Sequence, residues 1–253
     1  MIIFSIIMPA HNSSLFIEEA INSVLEQTFN DWELIVIDDH SNDDTALEVK
    51  KFSSKDSRIK FISLNENLGP ALARNQGISI AKGRYISFID SDDYWYPSKL
   101  LETLNLFNQT DCSIVFTAYI KADIDNRVNQ LVMSDKVSFD FKDLLFINMI
   151  GCSTASYDTK KCGKLFMPNI RYAEDYSLWL KILSAGGHAI QIKKPLVRYN
   201  IRPGSESSMK LYAAIGHWRA LDKYSGKGTF KNLFYFSFYV FRNILKLIKS
   251  FFK

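Results

Sequence analysis

Four apolar runs within the first ninety-three residues, three of them stopping at polar or acidic side chains, restrict this chain to few folds. Ile2–Met8 leads to His11-Asn12, Leu34–Ile37 to Asp38-Asp39, and Tyr85–Ile89 to Asp90-Ser91-Asp92-Asp93; Ile59–Leu64 is the fourth run. Continuous rather than alternating apolar character marks strands buried on both faces. Helices are expected between them. Ile17, Ala20, Ile21, Val24 and Leu25 recur at helical spacing, with Ser13 or Ser14 as N-cap. A polar helix is expected from about Asn42 to Phe52, and a third opens at Gly69-Pro70, runs through Ala81 and is closed by Gly83. Repeated β-α-β units with short connections predict an α/β fold with a doubly wound, mostly parallel sheet and right-handed crossovers.

The second part of the chain is less regular. Strands are expected over Ser113–Lys121, Arg127–Met133 and Pro195–Ile201, and helices over Phe139–Asn148, Tyr176–Ala185, Ser207–Lys223 and Phe230–Phe252. With 253 residues and 47% hydrophobic side chains the chain can bury one large core. The opening apolar run stops after eight residues with no preceding basic residue, so it reads as a buried strand rather than a signal peptide. Cys112, Cys152 and Cys162 lack metal-binding spacing and read as thiols in a reducing compartment.

The charge is unevenly spread. Seven basic residues and no acidic one lie from Lys223 onward, leaving 24 basic against 27 acidic side chains in the preceding 222 residues. A mildly acidic body argues against a nucleic-acid-binding surface, whereas the basic tail suits an anionic partner.

Ligands of open parallel sheets bind at the carboxyl ends of the strands. Several acidic strand ends facing one crevice repel each other unless a cation or hydrogen-bond donors lie between them. Carboxylates without nearby Cys or His point to a hard cation, Mn2+ or Mg2+, that also binds substrate phosphates. The competing reading of Asp90–Asp93 is a solvated turn before the next helix.

Six segments share a further property. Ser5–Asn12, Gln27-Thr28-Phe29, Glu33–Asp39, Asn67-Leu68-Gly69, Ala73–Ile78 and Phe88–Asp93 together resemble the family 2 inverting glycosyltransferases of GT-A fold from bacterial polysaccharide biosynthesis. The match is dense over residues 3–110 and thinner to about 208. The resemblance implies a nucleotide-sugar-binding half over 1–110, an acceptor-binding half of the same domain over 111–225, and a basic amphipathic C-terminal helix over 226–253. It implies that Pro9, His11 and Asp39 hold the nucleotide, His11 by stacking on the base and Asp39 by accepting a base N–H. Asp90 and Ser91 would lie at the ribose, and Asp92 would bind the metal. Asp93 would orient the loop. Tyr172–Tyr176 resembles the family's Glu-Asp motif, making Asp175 the base that inverts the anomeric carbon and Glu174 a lesser candidate. The alternative for both acids is complementing a helix N-terminus. His11 also reads as a capping or core histidine. Arg74 reads either as a pyrophosphate contact or as an ion-pair partner of an active-site carboxylate. Arg202 stands where relatives often carry a histidine, and its guanidinium suits phosphate oxygens; the alternative is an exposed loop arginine.

The implied donor is a UDP-sugar, and the implied acceptor a glycan or lipid-linked oligosaccharide. Residues 233–241 are almost wholly apolar, and Arg242, Lys246, Lys249 and Lys253 share one helical face. Such a helix suits the anionic inner face of the cell membrane, with the enzyme otherwise cytoplasmic. Packing on the body is the other reading. Two rivals remain: a sugar nucleotidyltransferase, whose glycine-rich phosphate loop is missing from Pro9–Asn12, and a non-catalytic sugar-nucleotide-binding protein.

Overall fold

A computed structural model describes residues 2–123, 128–201 and 210–251. In chain order its elements are β1 (Phe4–Ala10), α1 (Ile17–Leu25), β2 (Trp32–Asp38), α2 (Thr45–Ser53), β3 (Ile59–Ser63), α3 (Pro70–Ile80), β4 (Tyr85–Phe88), β5 (Tyr94–Trp95) and α4 (Lys99–Gln109). There follow β6 (Ile114–Ala122), β7 (Val128–Val132), β8 (Ser138–Phe139), α5 (Phe141–Phe146), a 3-10 turn (Cys152–Thr154), β9 (Ser156–Asp158) and α6 (Thr159–Cys162). The chain continues through α7 (Glu174–Ser184), β10 (Ala189–Asn200), α8 (Lys210–Tyr224) and α9 (Thr229–Phe251).

The strands form one sheet in the order β3-β2-β1-β4-β9-β6-β10-β5. The pairs β2–β3, β1–β2, β1–β4 and β6–β10 are parallel, and β9 runs antiparallel between β4 and β6. The carboxyl ends of β1, β2, β4 and β6 therefore share one edge. Both faces are covered. Ile7, Ile35, Ile37, Ile86 and Phe88 point into a core with α3, α5 and α7. Ile6, Met8, Leu34 and Val36 point into a second core with α1 and α4. Alternation across two buried faces is why β1 and β2 read as unbroken apolar runs.

Polar groups settle several local expectations differently. Ser13 does not cap α1, whose N-cap is Phe16 without a side-chain hydrogen bond. The Ser13 hydroxyl is instead 2.7 Å from that of Ser91, joining the loops after β1 and β4. Gly83 does not close α3, which stops at Ile80 with Ala81 extended. Rather, a Cβ on Gly83 would lie 2.5 Å from the Ser5 amide nitrogen, so only glycine fits against β1. The buried Ser5 hydroxyl accepts from the Gly83 amide and donates to Glu33, which also pairs with Lys60. Burial acts to raise the Glu33 pKa, but hydrogen bonds from Lys60, Ser5 and the Lys82 amide hold it below its ordinary value.

β10 starts at Ala189, six residues before the expected Pro195. Register shifts on both sides of that proline let the strand continue past its missing N–H. α9 packs by Tyr235, Phe236 and Tyr239, and the buried Asn232 accepts from Ser225. Between α7 and α9 the neutral His217 ring is stacked on Tyr176 at 4.4 Å and on Tyr239 at 3.9 Å.

Replacing Gly83 by alanine forces β1 away from the α3–β4 connection. The Gly83→Ala protein is expected to unfold at lower urea, with a loss of about 1–3 kcal/mol.

Candidate active site

The site sits at the shared carboxyl edge of the sheet, where β1, β2, β4 and β6 deliver their loops. After β1 and β2 the chain enters the left-handed region at Asn12 (φ 48°) and His40 (φ 59°), conformations that non-glycine residues adopt uncommonly. His11 is exposed. Its Nδ1 donates to the Asp39 carbonyl at 2.8 Å, and Nε2 lies 3.2 Å from the amides of Asn12 and Asn67. Asn67 Nδ2 is equally 3.2 Å from Nδ1, so this side chain lies against the ring rather than at one edge. The buried Asp39 carboxylate accepts from the Leu68 and Gly69 amides at 2.7 and 2.8 Å, clamping the loop that starts α3. Each Asp39 oxygen keeps further accepting capacity beyond these bonds. Pro9 is the penultimate residue of β1, beyond the last pair with β4, so its lacking N–H breaks no ladder there.

α3 carries Arg74 under the acidic loop. Its Nη2 donates to Asp90 at 2.6 Å and its Nη1 to Glu174 at 3.0 Å, and the side chain is 6% exposed. Of the two readings of Arg74, the ion pair is therefore the one observed. The acidic loop is fastened at four further points. Ser91 meets Ser13, Asp90 N donates to the Ser153 hydroxyl, and the Asn200 amide groups donate to Asp93 Oδ1 and the Asp92 carbonyl. Burial drives the Asp93 carboxyl well above the usual range, and the charges of Asp92 and Asp90 push the same way. Ser153 and the Asn200 amide act in the opposite direction.

A cavity of about 460 Å³ opens beside this loop, lined by Arg74, Asp90, Glu174 and Asp175 together with Tyr119, Lys121 and Tyr172. Burial pushes the Asp175 carboxyl up to about 7, the Glu174 charge adding to it while the Tyr176 amide and Arg74 pull down. Tyr119 responds to the same groups: burial first, then Asp93 and Asp175, push it up to about 12. Tyr172 has φ 68° and stacks on Tyr212 of α8. Gly216 of the same helix would place a Cβ 2.7 Å from the Arg171 carbonyl, so α8 lies flush on this strained turn.

The cavity brings together Arg74, Asp90 and Asp175. Pro9, His11, Asp39, Ser91 and Asp92 lie outside its lining but are tied to it through Gly69-Pro70 and the Ser13–Ser91 contact. Arg202 falls outside the described residues. Ser13, Ser153 and Asn200 were missed as positioning residues; single polar side chains far apart in sequence carry no spacing signal. Among the described residues no group of three or more His, Cys, Asp or Glu side chains is gathered as a metal cage. The oxygen-only acidic loop fits a hard cation: beyond the effect of burial, the charges of Asp92 and Asp90 raise Asp93, and such a cation would offset them.

The mostly parallel sheet with an acidic loop at its carboxyl edge is a GT-A fold. The chain belongs to glycosyl transferase family 2, which it matches over residues 5–161. It is 36% identical over 214 residues to TuaG of Bacillus subtilis, named for teichuronic acid biosynthesis, with 85% of each chain covered. It is 35% identical over 221 residues to WfgD of Escherichia coli, a UDP-Glc:alpha-D-GlcNAc-diphosphoundecaprenol beta-1,3-glucosyltransferase, covering 87% of this chain and 85% of that one. Among solved structures, S. aureus TarS 1-349 with UDP-GlcNAc superimposes with TM-score 0.70 at 21% identity over 88% of this chain and 67% of that one. The mannosyltransferase PcManGT of Pyrobaculum calidifontis, in complex with GDP-Man and Mn2+, gives 0.70 at 18% identity over 89% and 65%. Membership of this family sets the nucleotidyltransferase reading aside.

Arg74→Leu leaves the buried Glu174 and the part-buried Asp90 without their cation and is expected to cost about 3 kcal/mol in urea unfolding. Arg74→Lys recovers only part, since a point charge cannot fork between Asp90 and Glu174.

Proposed function

We propose that the protein transfers a sugar from a UDP-sugar to a hydroxyl of a lipid-linked glycan with inversion at the anomeric carbon, and that Asp175 is the general base. The observation that carries this reading is Asp175 itself, a carboxylate poised near neutrality in the same cavity as Asp90 and Arg74. A base with a pKa near the working pH combines availability with proton affinity. Asp175 takes the acceptor hydroxyl proton, the oxygen attacks the anomeric carbon from the opposite side, and the bond to the nucleoside diphosphate oxygen breaks. His11 stacks on the nucleotide base, with Asp39 and Pro9 beside it, while Asp90 and Ser91 meet the ribose. Asp92 would hold Mn2+ or Mg2+, which stabilises charge on the leaving diphosphate. The donor and acceptor named for WfgD support the choice of a UDP-sugar and a diphosphate-linked lipid acceptor.

The membrane reading draws on α9. Phe230, Phe234, Phe241 and Leu233 are 91, 63, 58 and 50% exposed, although the helix packs its other side on the body. Among the described residues no helix is long and apolar enough to cross a membrane. An apolar stripe with Lys227, Lys231 and Arg242 along the same segment suits a helix lying in an anionic interface. Because Asn232 and Tyr239 are part of the packing, the stripe is better tested by substitution than by deletion. Phe230→Glu with Phe241→Glu is expected to abolish sedimentation with phosphatidylglycerol vesicles while leaving the fold intact by circular dichroism; unchanged partitioning sinks the membrane assignment.

Asp175→Asn is expected to lower kcat by about 10²–10⁴-fold in UDP release while UDP binding persists. Wild-type kcat/KM should rise with pH through about 7. Loss of both donor turnover and UDP binding in the wild type would leave no enzyme to discuss, and UDP binding without turnover would favour a binding protein. The folded-state pKa of Asp175 lies above its ordinary value, so its ionisation costs stability as pH rises toward and through 7. Asp175→Asn should therefore be more stable than wild type at pH 8 in urea titrations, with the difference gone at pH 4.

A further inference from the structure

The cavity contains a cation that the reaction just described leaves unused. Its charged lining residues are Arg74, Lys121, Asp90, Glu174 and Asp175. Both terminal nitrogens of Arg74 are taken by Asp90 and Glu174. Lys121 is half-buried, and its ammonium has no ion-pair partner among the described residues; burial alone acts on it, lowering its pKa. A lysine in a cavity wall that pairs with none of the carboxylates among the described residues carries a charge that an external anion would compensate.

The topology says which side of the reaction this anion belongs to. His11 and Asp39 follow β1 and β2, whereas Lys121 lies near the end of β6, with β4 and β9 between β1 and β6. At about 4.8 Å per strand that is roughly 14 Å across the sheet from β1. The neighbourhood of Lys121 is that of the proposed base. Tyr119, two residues earlier and so on the same face of β6, feels the Asp175 charge. Tyr199 is paired in register with Lys121, and its ring lies 6.0 Å from that of Tyr119. Tyr199 and Tyr119 line the cavity beside the lysine. Aromatic rings beside a cation unpaired among the described residues suit a phosphate attached to an organic group.

We propose that Lys121 binds a phosphate carried by the acceptor, so that this wall of the cavity selects a phosphate-linked sugar over a neutral glycan. The inference rests on the glycosyltransferase reading for the word acceptor, but its binding chemistry is separable from turnover. A neutral glycan offers Lys121 only hydroxyls, which leave the charge uncompensated; a phosphate or diphosphate neutralises it next to the base. Selection would then act on the linkage group shared by lipid-linked sugars rather than on the sugar alone.

The test is an isothermal titration of phenyl phosphate into protein already saturated with UDP and Mg2+, for wild type, Lys121→Met and Lys121→Arg. The expected result is binding by wild type, at least tenfold weaker binding by Lys121→Met, recovery by Lys121→Arg, and the same UDP affinity in all three. Equal phenyl phosphate binding by wild type and Lys121→Met overturns the proposal, as does no binding to wild type. A tenfold loss of UDP affinity in Lys121→Met also overturns it, by assigning the lysine to the donor diphosphate. UDP release by the wild type with sugar donors is measured alongside. Its failure with phosphate binding intact strikes the enzymatic reading and leaves the Lys121 site standing.

Discussion

The buried guanidinium of Arg74 is the constraint around which the rest of the site is arranged. It reaches from α3 to Asp90 after β4 and to Glu174 at the start of α7, joining residues 100 positions apart. An arginine at this depth is tolerable only because both forks meet carboxylates, and those carboxylates are tolerable only because of the arginine. Burial acts against its charge, while the surrounding acids hold its pKa well above the ordinary value. The result is a rigid crosspiece between the nucleotide edge and the helix that carries Asp175.

That crosspiece also separates the fates of neighbouring acids. Glu174 and Asp175 are adjacent, yet Glu174 shares the Arg74 charge and Asp175 receives mainly burial and the repulsion of Glu174. Environment thus divides two identical functional groups into an ion-pair member and a carboxyl that titrates near neutrality. The acidic loop repeats the division on a smaller scale, with Asp90 paired to Arg74 and Asp93 buried against Asn200.

Much of the nucleotide edge was legible in the sequence because it is built from long apolar runs with period-specific neighbours. β1, β2, β3, α3 and β4 lie within two residues of their expected places. β5, β8 and β9 escaped notice because two or three residues carry no periodicity, and β9 runs against its neighbours. Pairs such as Ser13–Ser91 and Asp92–Asn200 were illegible for another reason: they are contacts between loops, fixed by the sheet order and not by local pattern. The Ser13 cap and the Gly83 stop failed alike, since tertiary hydrogen bonds claimed groups that local rules assign to helix ends.

The turn before α7 has a wider implication. Tyr172, three residues ahead of Asp175, is left-handed, and Gly216 on a helix far later in the chain lies directly against that turn. The family match ends at residue 161, short of both. A fragment cut at that limit would retain the acidic loop while losing Asp175 and the helix packed on its turn. The ion-pair network of Arg74 thus crosses that boundary, with Asp90 inside it and Glu174 beyond.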